Sequence, residues 1–226
     1  MKFLIEYFGK SIEFDPNSVT DLPKGFKRLS YQIDAVNDGY SKMMKHNGFF
    51  LADVVGLGKT IVATLIAKKY FYSNGFPSYR SRTLIIVPPA LKENWSETID
   101  KFHLDNVEII TNGSLHKITN PEKYDLIIVD EAHGCAATGG RSQNQKRHEL
   151  LQELVRRNKP HLILVTATPH SGKEDAFRSL LGLLSPDFAN LPESLGGEEN
   201  RKQRELLARY LVQRRRGELT AYLDTA

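Results

Sequence analysis

Cysteine is almost missing from this chain: Cys135 is the single one among 226 residues. An intrachain disulfide and a cysteine-rich metal site are excluded, and a reducing, cytoplasmic setting fits. The seven histidines show no zinc-ligand spacing. Neither sign of charge is in large excess. Lys+Arg 31 against Asp+Glu 27 leave a net charge of +4, too small an excess to argue for a polyanionic partner by itself. No apolar run reaches the length of a membrane span. Glu6 interrupts the short apolar stretch at the start, which therefore does not read as a secretory signal. Internal repeats and low-complexity tracts are absent. What is left is a length that suits one α/β domain with a sizeable core.

What is present is more specific. A short apolar run, Phe49 to Ala52, leads into Asp53-Val54-Val55-Gly56-Leu57-Gly58-Lys59-Thr60 and then into Ile61 to Ala67, which reads as a buried helix. A strand, a glycine-containing turn and a helix opening at Lys-Thr are the context that a phosphate-binding loop requires. Gly56 and Gly58 allow a tight turn and let backbone N–H groups approach phosphate oxygens. The helix start adds unpaired N–H groups and the positive end of its dipole. Lys59 would reach the β- and γ-phosphates of a bound nucleotide, and the Thr60 hydroxyl would ligate Mg²⁺. Asp53 stands where the general pattern has glycine. A carboxylate aimed at phosphates would repel them, so this side chain should turn away and brace the loop.

A second apolar run, Tyr124 to Val129, ends in Asp130-Glu131-Ala132-His133. Continuous apolar runs of this length suit parallel strands covered on both faces, whose ligands bind at the carboxyl ends. Asp130 at such an end can hold Mg²⁺, and Glu131 can polarise the attacking water as a general base. A third strand-like run, His161 to Val165, ends in Thr166-Ala167-Thr168-Pro169. The hydroxyls of Thr166 and Thr168 can reach His133 or Glu131 and report the state of the γ-phosphate. Near the start, residues 29–36 read as an amphipathic helix, and its Gln32 suits a bidentate contact to adenine. On Gln32 alone, an exposed helical amide is the favoured reading.

Taken in order, Tyr31-Gln32, residues 53–60, the segment 85–95, Asp130 to His133 and Thr166 to Pro169 resemble the motifs of superfamily-two helicases and translocases. Within that group the likeness is to Swi/Snf-like DNA translocases, whose nucleotide loop typically begins with Asp and whose third motif reads like TATP. It covers roughly residues 28–220. The resemblance implies an α/β, three-layer RecA-like P-loop domain, the first of two lobes, using ATP and Mg²⁺ on double-stranded DNA. It implies a second RecA-like lobe in the full-length protein, supplying arginines that this chain lacks. It also implies that the segment after strand 83–88 touches a nucleic-acid backbone, through Pro88, Lys92 and Asn94. Gly113 and Ser114 after strand 107–111, and His170 after the third motif, are further candidates for that groove. After His133, relatives continue with a basic stretch; here 134–140 is small and reads as flexible.

The remaining expectations concern layout. Residues 1–27 read as a hairpin or joining arm. Strands are expected at 49–53, 83–88, 107–111, 125–130 and 161–166. Helices are expected at 29–46, 59–72, 91–102, 145–157, 174–184 and 200–213. Alternating strands and helices imply right-handed crossovers and a mostly parallel sheet. Trp95, spaced helically with Ile99 and Phe102, reads as a core anchor rather than a stacking platform. The basic run 213–217 reads as the end of the last helix, and the basic residues crowded between Arg201 and Arg216 suit a solvated face or a nucleic-acid contact equally. Two alternatives stay open: an RNA helicase lobe, and a nucleotide-dependent binding module without turnover. A Rossmann dehydrogenase is disfavoured, because no G-x-G-x-x-G follows a strand.

Overall fold

The computed structural model describes residue 23 and residues 30–53, 58–73, 82–166, 174–192 and 197–214. Apart from residue 23, the expected arm at 1–27 lies outside them.

Six strands form one sheet: β1 (Gly48–Asp53), β2 (Thr83–Val87), β3 (Val107–Thr111), β4 (Leu126–Val129), β5 (His161–Thr166) and β6 (Leu211–Arg214). Their order is β3-β2-β4-β5-β1-β6. Every pairing is parallel. The helices are α1 (Ser30–His46), α2 (Lys59–Ser73), α3 (Lys92–Lys101), α4 (Gln143–Asn158), α5 (Glu174–Leu184) and α6 (Arg201–Arg209).

The continuous apolar runs are explained by strand geometry. Side chains alternate between the two faces, and both faces are covered. Phe49, Leu51, Ile85, Val87, Ile128, Ile163 and Val165 join one core with α1, α2 and α3. Phe50, Ala52, Leu84, Ile86, Val129, Leu162 and Leu164 join the other with α4, α5 and α6. A sheet between two helical layers therefore needs no polar alternation in its central strands. Close approach fixes α1 in particular: a Cβ on Gly39 would lie 2.8 Å from both Phe49 and Ile66 side-chain atoms.

Element positions follow the sequence expectation, with one correction. The expected helix 200–213 stops at Arg209, and Leu211–Arg214 is a sixth strand. Tyr210 turns the chain, with its N–H bonded to Leu207 O at 3.0 Å. Leu211, Val212, Gln213 and Arg214 then pair with Phe50, Leu51, Ala52 and Asp53. The physical reason is burial: Val212 fills the first core beside β1, which helical propensity alone does not anticipate. The basic run 213–217 thus begins within a strand rather than at a helix end, and its remainder lies outside the described residues.

Candidate nucleotide site

The carboxyl ends of β4, β5 and β1 are neighbours in the sheet, and register sets their relative height. Ala52 pairs with Thr166, and Val129 pairs with Leu164. Residues 130 and 131 therefore leave β4 level with the last two residues of β5, beside the end of β1. Asp53, Asp130, Glu131 and Thr166 gather at one edge, the edge at which open parallel sheets bind ligands. Lys59 and Thr60 open α2 just beyond β1. Val54, Val55, Gly56 and Leu57, the side chain of Asp53, Thr168 and His170 lie outside the described residues.

Gly58 carries φ +78°, and its carbonyl accepts the Val62 N–H at 3.0 Å, so it caps α2 in a left-handed conformation suited to glycine. The first turn of α2 contains no acidic residue of its own to offset the positive end of the helix dipole. The Thr64 hydroxyl donates to Thr60 O at 2.7 Å, a bond within the helix. The structure corrects the reading of Gln32 as an exposed helical amide. Gln32 is 4% exposed, and a Cβ on Gly58 would lie 2.5 Å from its Nε2. The amide thus sits against the glycine that opens the phosphate-loop helix.

On the other side of the site, Asp130 is only 6% exposed. Its Oδ1 accepts the Glu131 N–H at 2.8 Å, and its Oδ2 accepts the indole N–H of Trp95 at 2.8 Å. Burying a carboxylate is costly without donors, and these two supply them. Trp95 is fully buried on α3 with Ile99 and Phe102, as expected of a core anchor. Its polar tip on Asp130 was not legible, because the two residues stand 35 apart in sequence. Only the adjacency of β2 and β4 brings them together.

Glu131 has φ 47° and ψ 51°, left-handed for a residue with a side chain. Such a conformation costs about 1–2 kcal/mol and persists where surroundings over-determine it. Its Oε2 lies 3.2 Å from Nδ1 of His133. Thr166 is buried at the tip of β5.

The segment after His133 is tied down, against the expectation of a flexible loop. Cys135 and Ala136 are buried in the second core. His148 Nδ1 lies 3.1 Å from Cys135 O, Arg147 Nη1 donates to Gly134 O at 3.4 Å, and Ala137 N–H donates to Ser179 Oγ at 2.9 Å. Gln145 Oε1 accepts the N–H groups of Thr138 and Gly139 at 3.2 and 3.1 Å. Small side chains here permit close packing rather than motion, so α4 and α5 hold the backbone that follows Glu131.

The described candidate nucleic-acid residues occupy the same sheet edge, displaced toward β2 and β3. Pro88 follows β2, and Lys92 and Asn94 are exposed on the first turn of α3. Gly113 is exposed in the 3-10 turn after β3, and Ser114 Oγ lies 3.0 Å from Thr111 Oγ1. At the far end, Arg201 pairs with Glu205 at 3.0 Å and Glu198 at 3.5 Å on a solvated face of α6.

Comparison with known proteins shows what the chain is similar to. The model of the SNF2-related domain matches residues 31–124. Residues 31–124, under half of the chain, are thus similar to the SNF2-related domain. The chain is 29% identical over 222 residues to the uncharacterized ATP-dependent helicase YqhH of Bacillus subtilis, an alignment covering 84% of the chain and 37% of YqhH. It is 30% identical over 181 residues to the human DNA annealing helicase and endonuclease ZRANB3, covering 67% of the chain and 16% of that protein. The chain thus spans well under half of either relative. The SWI2/SNF2 ATPase core of Sulfolobus solfataricus, solved in complex with dsDNA, superposes with a TM-score of 0.66 at 21% identity, over 86% of this chain and 46% of that one. The three-layer RecA-like architecture expected from the sequence is the fold that this likeness shows.

Proposed function

We propose that this chain is the ATP-binding lobe, residues 28–220, of an ATP-dependent translocase acting on double-stranded DNA. The observation that carries the reading is the shared edge: the start of α2, the buried Asp130, the left-handed Glu131 and Thr166 stand at the ends of three neighbouring strands. In this reading the N–H groups at the start of α2 and the Lys59 ammonium bind the phosphates, and Gln32 meets the adenine. Glu131 accepts the proton of the water that attacks the γ-phosphorus, while His133 orients the carboxylate. ADP departs with the cleaved bond's electrons. Thr166 and Thr168 relay the phosphate state.

Hydroxyl and carboxylate oxygens are hard donors of the kind that magnesium takes. Among the described residues, no group of three or more His, Cys, Asp or Glu forms a closed cage. Magnesium is commonly bound by one or two protein oxygens together with substrate phosphates. Thr60 and Asp130 would hold it. Bound there, Mg²⁺ would neutralise phosphate charge.

Duplex DNA as the track is supported by the Sulfolobus ATPase core, which was solved in complex with dsDNA, and by the exposed Lys92 and Asn94 beside the site. Pro88, Gly113, Ser114 and His170 complete the proposed groove. A second lobe of the same full-length protein would close over the nucleotide. A reducing, cytoplasmic setting belongs to the same reading, since the one cysteine is buried and free. Among the described residues no helix is long and apolar enough to cross a membrane.

The deciding experiment measures ATP turnover by a full-length protein carrying this lobe, alone, with duplex DNA and with RNA. Stimulation by duplex DNA is expected. Equal or greater stimulation by RNA would replace the reading with an RNA helicase. Nucleotide binding without stimulated turnover would replace it with a binding module. The 226-residue chain alone should turn over very slowly, because arginine fingers contribute about 10³–10⁵ in rate.

A further inference from the structure

We propose that Trp95 is a positioning residue for the Asp130 carboxylate, so that α3 helps to set how this lobe takes a divalent cation. The inference rests on the ATP reading above and adds a residue outside the phosphate loop and the acidic motif. The indole N–H donates to Asp130 Oδ2 at 2.8 Å, while the Glu131 N–H holds Oδ1 at 2.8 Å. One donor on each oxygen fixes the plane of the carboxylate. A carboxylate offers about four lone-pair sites, so both oxygens keep capacity for a cation after these bonds. An indole is a donor only; it cannot compete for the metal or accept a proton from the site.

The donor can orient its partner only if its own helix is held. Trp95 is 0% exposed and packs in the first core. At the far end of α3, the buried ammonium of Lys68 donates to Phe102 O. Lys68 lies on α2, the helix that begins with Lys59 and Thr60. The helix is therefore bonded at one end to the acid of β4 and at the other to the phosphate-loop helix. Its exposed first turn carries Lys92 and Asn94, next to the indole in sequence. Outer partners that orient a metal ligand typically contribute 10- to 100-fold in metal affinity.

The test uses the 226-residue chain, in which Trp95 is the sole tryptophan, so its emission has one source. A fluorescent ADP analogue reports nucleotide binding. Magnesium added to the wild-type nucleotide complex is expected to change Trp95 emission, and Asp130→Ala is expected to abolish that change. Trp95→Phe, checked for fold by circular dichroism, is expected to bind metal-free nucleotide as before while needing about 10-fold more Mg²⁺ or higher for tight binding. An unchanged magnesium requirement in Trp95→Phe overturns the proposal. If that variant does not fold, wild-type emission indifferent to magnesium overturns it instead. Failure of the wild-type chain to bind nucleotide at all overturns the ATP reading, and this inference with it.

Discussion

Gln32 lies against Gly58: a Cβ there would stand 2.5 Å from Gln32 Nε2, the tip of a flexible side chain that would have to shift. Glycine suits the position chiefly through its backbone, since its φ of +78° is a conformation that other residues adopt at a cost. Gly58→Ala is therefore expected to lower thermal stability and to weaken nucleotide binding together. The backbone alone costs about 1 kcal/mol, and in a chain of this size each kcal/mol shifts Tm by about 2–4 °C. Calorimetry and titration with a fluorescent nucleotide check both halves. A variant with wild-type Tm and affinity would show that the amide has room to move aside.

Glu131 separates chemistry from stability in a way that can be read in two variants. Its left-handed backbone, φ 47° and ψ 51°, is a conformation in which a side chain costs about 1–2 kcal/mol. Glu131→Gln keeps that cost and removes the base. It should bind ATP normally and stop turnover in the full-length protein. Glu131→Gly relieves the conformation as well, so Tm should hold or rise while turnover is equally lost. Wild-type hydrolysis by Glu131→Gln would remove Glu131 from the role of base. A clear fall in Tm for Glu131→Gly would show that the side chain, including its 3.2 Å contact to His133, stabilises more than the backbone costs.

The sheet was legible because each central strand is a continuous apolar run closed by a residue of distinct chemistry: Asp53 after Phe49 to Ala52, Asp130 after Leu126 to Val129, Thr166 after Leu162 to Val165. Local pattern carried that much. It failed where a contact between distant segments decides. Leu211 to Arg214 follow a helical basic stretch and become strand only because β1 offers an open edge. Gln32 looks solvent-facing until α2 is folded against α1. The segment 134–140 looks loose because its restraints come from Arg147, His148, Gln145 and Ser179, on helices later in the chain. The bond from Trp95 to Asp130 has the same origin.

Burial of Cys135 gives that segment its own reporter. The thiol is 1% exposed, and burial pushes its pKa up from 9.0 to about 11. The folded state thus prefers the neutral thiol more strongly than the unfolded chain does. This contribution to stability is fully present below pH 9 and is lost as pH rises from about 9 to about 11. Native chain at pH 8 should react with a thiol reagent only through opening, far more slowly than in denaturant. His148→Ala, which removes the partner of Cys135 O, should accelerate labelling. Equal labelling rates in native and denatured chain would contradict the packing of Cys135 beneath α4.

The sixth strand can be tested by where the chain is cut. β6 covers one edge of β1, with four residue pairs from Phe50–Leu211 to Asp53–Arg214, and Phe50 N–H donates to Tyr210 O at 2.6 Å. Ending the chain at Arg209 would expose that row of backbone donors and acceptors, remove buried Val212 and Tyr210 from the two cores, and leave β1 as an edge strand. Losing the burial of one such large side chain costs about 1.5–3 kcal/mol, and an unprotected edge invites pairing with another chain. A chain ending at Arg209 should therefore melt several degrees lower and form soluble aggregates by light scattering. One ending at Arg214 keeps all of β6 and is the reference for that comparison. Because β1 leads directly into the loop before Gly58 and Lys59, the shorter chain should also lose nucleotide affinity although no residue of the site is removed. Equal melting and equal affinity in the two truncations would mean that β6 does not support the strand on which the phosphate loop stands.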